Sequence, residues 1–295
     1  MNIDLYPFFD WFLEPSQRTH YAFWVSSFGV ALLWAAFAWG KRKHFIAQFF
    51  KKDYWLNTSS YQDYFLIVFN RGLFLVLGFS WLAITLSIGL AVLNFLRLFG
   101  DAADPGSFAS NSFAILGLYT FILFLLDDAS RFLLHWLMHK FDFLFRLHQV
   151  HHSASTLTPL TTLRIHPLES LLYQFRSSLV HGTCAGASFY FVGFQADSWQ
   201  VWGATVWVLV FNFFGANLRH SQIPISYGKF EKIFISPAMH QAHHGVTTMT
   251  KNYGSVLSIW DRMLGSFRSG ELNYQLPEQA QPLFKQLMLQ HIKWK

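Results

Sequence analysis

Cysteine is nearly absent: the 295 residues contain one, Cys184. One thiol excludes an internal disulfide framework and any cysteine-built zinc or iron–sulfur site, because each needs several thiolates. Cys184 lies in an apolar run, so packing is its expected role. Charge is scarce as well. Only 13% of residues are charged, against roughly 25% in soluble domains, while 53% are hydrophobic, 19% aromatic and the mean hydropathy is +0.26. That balance points to a membrane protein. The 22 basic and 16 acidic residues give a pI near 9.4, but the basic residues flank hydrophobic stretches and form no sustained stripe. Nucleic acid is therefore not an expected partner, and the charge reads as membrane topology. There is no HExxH, no internal repeat and no low-complexity linker. The N-terminal stretch has no basic region followed by an apolar run and a small-residue cleavage site, so no cleaved leader is expected.

The expected fold is an all-α integral membrane protein. It is a bundle of about four to five transmembrane or membrane-embedded helices, with a cytoplasmic helical cap over a histidine-rich dinuclear metal site. A crossing needs about 20 mostly apolar residues, and Tyr21 to Gly40 is such a stretch without a charge. Lys41, Arg42, Lys43, His44, Lys51 and Lys52 follow, a loop that belongs on the cytoplasmic side. Tyr64 to Phe99 is long enough for one long span or a kinked pair of shorter segments; charge favours one span, followed by an acidic, loop-like outer segment. A third span begins at Ser112 and runs through Asp127 and Asp128 towards His135. Two more apolar stretches, around Ser170 to Val192 and Val201 to Ala216, are expected to dip into or cross the membrane as a hairpin. Three regions result: 1–111 with two spans, 112–267 with the chemistry, and 268–295 as a cytoplasmic tail.

Histidine dominates the middle of the chain, where eleven of the 14 lie between His135 and His244. His135 and His139 are spaced i, i+4, so a helix presents both on one face. His148-Gln-Val-His151-His152 and His240-Gln-Ala-His243-His244 repeat one pattern, in which the first imidazole shares a face with members at i+3 and i+4. If one later imidazole stays with the first and the other reaches a second ion, two such boxes hold a dinuclear centre. Neutral imidazole suits iron, zinc, copper and nickel, whereas magnesium and calcium demand oxygen ligands. Eight boxed histidines, with His220 as a ninth, exceed one zinc ion. His166, in Arg164-Ile-His166-Pro-Leu-Glu169, is a ligand, an orienting partner of one, or a loop-fixing hydrogen bond. Asp128 lies about two and three turns before His135 and His139, where its carboxylate is placed to orient a ligand imidazole; Asp127 is the weaker candidate. His181 is read as a hydrogen-bonded core residue, and His20, His44 and His291 as interfacial or surface residues.

These blocks together resemble the fatty acid hydroxylase and sterol desaturase superfamily of membrane non-haem iron enzymes. The similarity runs from Asp128 to His139, through Phe145-Arg-Leu-His148-Gln-Val-His151-His152-Ser153 and Arg164 to Glu169, to Pro237-Ala-Met-His240-Gln-Ala-His243-His244. It closes with Asn252-Tyr-Gly254 and Trp260-Asp-Arg-Met-Leu-Gly265. Trp136 stands where an arginine often follows the first histidine, and Phe132 where a tyrosine is common. The resemblance implies two iron ions, dioxygen as oxidant, a lipid substrate entering from the membrane, a separate electron-donor protein, and hydroxylation or desaturation of an unactivated C–H bond. Two other classes compete: a membrane zinc hydrolase, which lacks its HExxH, and a metal transporter or sensor, which would place polar ligands deep within the spans.

Overall fold

The computed structural model describes residues 12–13, 19–78, 80–104, 113–193, 209–270 and 273–291. Most of the expected segment 201–216 falls outside them. Among the described residues the chain is helical, with no strand and one isolated antiparallel bridge, Phe234 to Leu257. The elements are α1 (Tyr21–Ala36), α2 (Trp39–Phe49), α3 (Lys52–Trp55), α4 (Thr58–Leu77), α5 (Trp81–Leu96), α6 (Phe113–Lys140), α7 (Asp142–His152), α8 (Pro167–Val192), α9 (Pro237–His243), α10 (Ile259–Met263) and α11 (Leu283–Leu287). Three 3₁₀-helices lie between them, at Pro159–Leu163, Ala216–His220 and Gly228–Lys232.

Two of the expected spans are shorter than their apolar runs. Helix α1 is apolar but stops at Ala36 after 16 residues. The chain turns there and restarts at Trp39, held by the Arg42 guanidinium, which donates to the Trp34 carbonyl at 2.8 Å and stacks 4.3 Å over its ring. His20, expected at a surface, is buried and caps α1, its Nδ1 accepting from Ala22 N at 3.3 Å. The run Tyr64 to Phe99, read on charge grounds as one span rather than a kinked pair, is divided between two helices, α4 and α5. Gly78 sits at the break with φ +62°, a left-handed conformation in which a side chain is strained. Among the described residues no single helix is long and apolar enough to cross a membrane by itself; the α4–α5 pair passes the same test jointly.

The chain forms two compact units. One comprises Met1–Leu77, Phe132–Ser170 and Phe211–Lys295, the other Gly78–Arg131 and Leu171–Val210, so that α6 and α8 each contribute to both. In the second unit α5 and α8 pack closely: a Cβ on Gly182 would lie 2.6 Å from the Thr85 carbonyl, which leaves room only for glycine. Asp127 ties α6 to α8 there, accepting from Arg176 Nη2 at 2.8 Å and from Arg131 Nε at 2.7 Å. His181 donates to or accepts from its own helix at Ser177. The first unit holds a core of Ala31, Ala35, Ile46, Leu218, Ile223 and Ile225, which packs α1 and α2 against the loop after the second 3₁₀-helix. All nine histidines of the three boxes and His220 belong to this unit.

Candidate metal centre

Each histidine is placed by a local structure that its own sequence specifies. Helix α6 ends at Lys140 and carries His135 and His139 on its last turns. Helix α7 starts after Phe141 and is buried from Leu147 through His152. Ser236 caps α9, its hydroxyl accepting from Met239 N at 3.2 Å, and Pro237 occupies the first turn, where its missing N–H costs nothing. His244 is the C-cap of that helix. The 3₁₀-helix Ala216–His220 is tied to α9 by Gln241, whose amide donates to Leu218 O and Ile223 O at 2.9 and 3.0 Å.

The histidines assemble into two groups. His135, His139, His148, His152 and His243 form one; His151, His220, His240 and His244 form the other, and within each group the ligand nitrogens all lie within 4.8 Å of one another. In both repeated boxes the i+4 member stays with the first histidine and the i+3 member crosses to the other group. The groups adjoin where the rings of His152 and His244 stack, centroids 4.8 Å apart.

Ring orientation shows what the groups are built for. His135 Nδ1 donates to Tyr253 O at 2.7 Å and His243 Nδ1 to Lys251 O at 2.6 Å. Both carbonyls only accept, so both Nδ1 atoms carry the proton and both Nε2 atoms present lone pairs. Yet these two Nε2 atoms face each other at 3.0 Å. Two lone pairs do not approach so closely without a cation between them. In the second group the Nε2 of His220 lies 3.1 Å from that of His151 and 3.0 Å from that of His240. Two imidazole nitrogens at about 2.1 Å from one ion lie about 3.0 Å apart at a right angle and about 3.4 Å apart at the tetrahedral angle. The three facing separations are of the size that a shared ion would set. His139, His148, His152 and His244 each bury an Nε2 that has no hydrogen-bond partner, which is costly for a polar atom unless a metal takes the lone pair. Burial pushes the His148 imidazole down to about 3 and holds His152, His240, His243 and His244 well below the ordinary histidine range, so these rings stay neutral and able to ligate.

Residues beyond the expected ones orient several rings. A buried carboxylate, Glu169 at the start of α8, holds one imidazole, its Oε1 accepting from His148 Nδ1 at 2.6 Å. Asp128 is buried as well. His166 fixes backbone: its Nδ1 accepts from Leu168 N at 3.1 Å and its Nε2 pairs with Leu287 O at 3.2 Å, and it lies in neither histidine group. His151 Nδ1 donates to Arg164 O at 3.2 Å. The side chain of Arg164 is wholly buried, donating to Asp63 Oδ1, Ser59 O and Val150 O at 3.0, 3.0 and 2.9 Å. Behind His135, Asp261 accepts from Tyr253 N and Gly254 N at 2.8 Å each and from Ser266 Oγ at 2.6 Å, which fixes the carbonyl that His135 uses. Three of the four ring acceptors are backbone carbonyls, which no side-chain pattern reveals. The sequence signal for them was indirect, in Arg164 to Glu169 and Asn252-Tyr-Gly254.

Residues 120–266, which contain both histidine groups, match the fatty acid hydroxylase family. The chain belongs to that family. Among curated members of this fatty acid hydroxylase family, alkylglycerol monooxygenase of Danio rerio is 30% identical over 151 residues, 50% of this chain and 30% of that protein. The ornithine lipid hydroxylase OlsE of Rhizobium tropici is 28% identical over 140 residues, 47% of this chain and 38% of that protein. Alkylglycerol monooxygenase of Homo sapiens is 28% identical over 151 residues, again 50% of this chain and 30% of that protein. The match thus spans about a third of the length of these relatives. No solved structure matches the chain.

Proposed function

We propose that the chain is a membrane-bound dinuclear iron enzyme that uses dioxygen, and electrons from a separate donor protein, to hydroxylate a lipid. The observation that carries this reading is the pairing of two imidazole-only groups, five and four histidines, with facing lone pairs and their rings in contact. The ligands would be His135, His139, His148, His152 and His243 for one ion, and His151, His220, His240 and His244 for the other. Bound there, redox-active iron would supply the oxidising power to break an unactivated C–H bond. The relatives' names, a monooxygenase of alkylglycerols and a hydroxylase of ornithine lipids, support a lipid substrate and favour hydroxylation over desaturation.

The chain's own residues position and insulate. Glu169 and the carbonyls of Tyr253, Lys251 and Arg164 hold the Nδ1 protons, so each ring offers Nε2 and its basicity is raised. A zinc hydrolase would need a carboxylate turned to the metal side as general base; Glu169 instead addresses the ring nitrogen of His148 that points away from the cluster. The apolar stretches, including the α4–α5 pair, would seat the protein in a bilayer and admit a lipid, with the metal centre on the cytoplasmic face by the charge of the segment Lys41 to Lys52, which is mostly helix α2. Anaerobically purified protein should carry two irons per chain and convert membrane lipid, with dioxygen and a reducing partner, to a product heavier by one oxygen. Zinc with an oxygen-independent hydrolysis product, or full oxidation activity in His151→Ala and His243→Ala variants, would sink the proposal.

A further inference from the structure

Two short elements of the first unit carry an exposed apolar cluster that the metal centre does not use. The 3₁₀-helix Gly228–Lys232 and α10 run side by side: Ser258 N donates to Ile233 O at 2.8 Å, Arg262 Nη1 donates to Lys232 O at 3.3 Å, and Phe234 bridges Leu257. Phe230, Ile233 and Phe234 on one side and Met263 and Leu264 on the other are all exposed, Met263 by 74%. Five large apolar side chains on two hydrogen-bonded elements form a patch that water does not favour.

Among the described residues of these segments the exposed charge has one sign. Lys229, Lys232 and Arg262 are exposed, whereas both acids of the same segments are buried and consumed internally. Glu231 accepts from the Ser226 and Ser236 hydroxyls at 2.7 Å each and from Gly270 N at 3.0 Å, and Asp261 is taken by Tyr253, Gly254 and Ser266. An apolar face whose exposed charges, among the described residues of these segments, are all cations fits the boundary between headgroups and acyl chains, where apolar side chains enter and basic ones reach phosphate. We propose that this face rests in an anionic lipid surface, with Phe230, Ile233, Phe234, Met263 and Leu264 in the acyl boundary and Lys229, Lys232 and Arg262 among the lipid phosphates. Only Ile235 and Ser236 separate it in sequence from α9, so lipid contact here anchors the helix that bears His240 and His243. The anchoring does not depend on which metal the histidines hold.

The test uses the full chain in nanodiscs of phosphatidylcholine alone or with phosphatidylglycerol. Nitroxides are attached in Phe230→Cys and Met263→Cys variants, with Lys285→Cys on α11 as an exposed control; Cys184 is buried. In anionic discs, collisions with oxygen should exceed those with a water-soluble nickel chelate at 230 and 263, with the reverse at 285. Combined K229E, K232E and R262E substitutions should abolish that difference while elution and helical content stay unchanged. Nickel reaching 230 and 263 as readily as oxygen would overturn the proposal. So would exclusion of both reagents, which would indicate a second copy on this face. Equal immersion in neutral discs and after charge reversal would also overturn it, since anionic headgroups would then play no part.

Discussion

Replacing Asp63 with alanine should damage a metal group whose ligands lie far from it in sequence. Asp63 sits in α4, outside the region matched by the family, and its carboxylate pairs with Arg164 at 3.0 Å where both side chains are fully buried. Its other oxygen accepts from Thr161 and Thr158 hydroxyls at 2.9 and 3.2 Å. The substitution leaves a guanidinium buried without its countercharge, a situation that costs about 3–5 kcal/mol. Against a total stability of about 5–15 kcal/mol that is a large loss. Replacing both partners, in Asp63→Ala with Arg164→Met, removes the stranded charge and should be milder than the single change. Because the Arg164 carbonyl holds His151 Nδ1, movement of this residue should also weaken metal binding at the His151, His220, His240 and His244 group, by about 10- to 100-fold. Thermal unfolding in detergent gives the stability, and competition with a chromogenic chelator gives the affinity. A single variant within about 1 kcal/mol of wild type, or a double variant no better than the single, would refute the reasoning.

Other outcomes follow from the same geometry. Glu169→Gln should lower metal affinity by about 10- to 100-fold with little change in helical content, since it removes the charge that orients His148 but keeps the shape; unchanged affinity in the chelator competition would count against that role. His151→Ala and His152→Ala alter adjacent residues in different groups, so each should cost about one metal per chain, with different spectroscopic signatures for the ion that remains. Asp261→Ala leaves the Tyr253 and Gly254 amides without their acceptor and should cost about 2–4 kcal/mol, visible as a lowered melting temperature. Metal-stripped protein should lose stability as pH falls below about 6.5, because unfolded imidazoles bind protons there. The folded rings resist, His148 to about 3 and His152, His240, His243 and His244 well below the ordinary range. Acid therefore favours the unfolded state, and a melting temperature that stays flat from pH 7 to 5 would contradict the burial argument.

What the sequence determined by itself was local. Helical periodicity put His135 with His139 and aligned His148 and His240 each with both later histidines of its box, because residues three and four apart share a face whatever surrounds them, but it left open which of the two stays. It also limited the metal to one that accepts imidazole, since no thiolate or acidic cluster was available. Tertiary structure decided the rest. The crossing of His151 and His243 between groups depends on how α7 and α9 meet, and the pairing of Glu169 with His148 depends on where α8 begins relative to α7. The acceptors at Tyr253, Lys251 and Arg164 are backbone atoms, identical in every residue, so only the fold could choose among them. Hydrophobic runs marked α1 and the α4–α5 pair as apolar but did not locate their ends, because hydropathy is blind to the turn after Ala36 and to the left-handed glycine at Gly78 that divides one run into two helices.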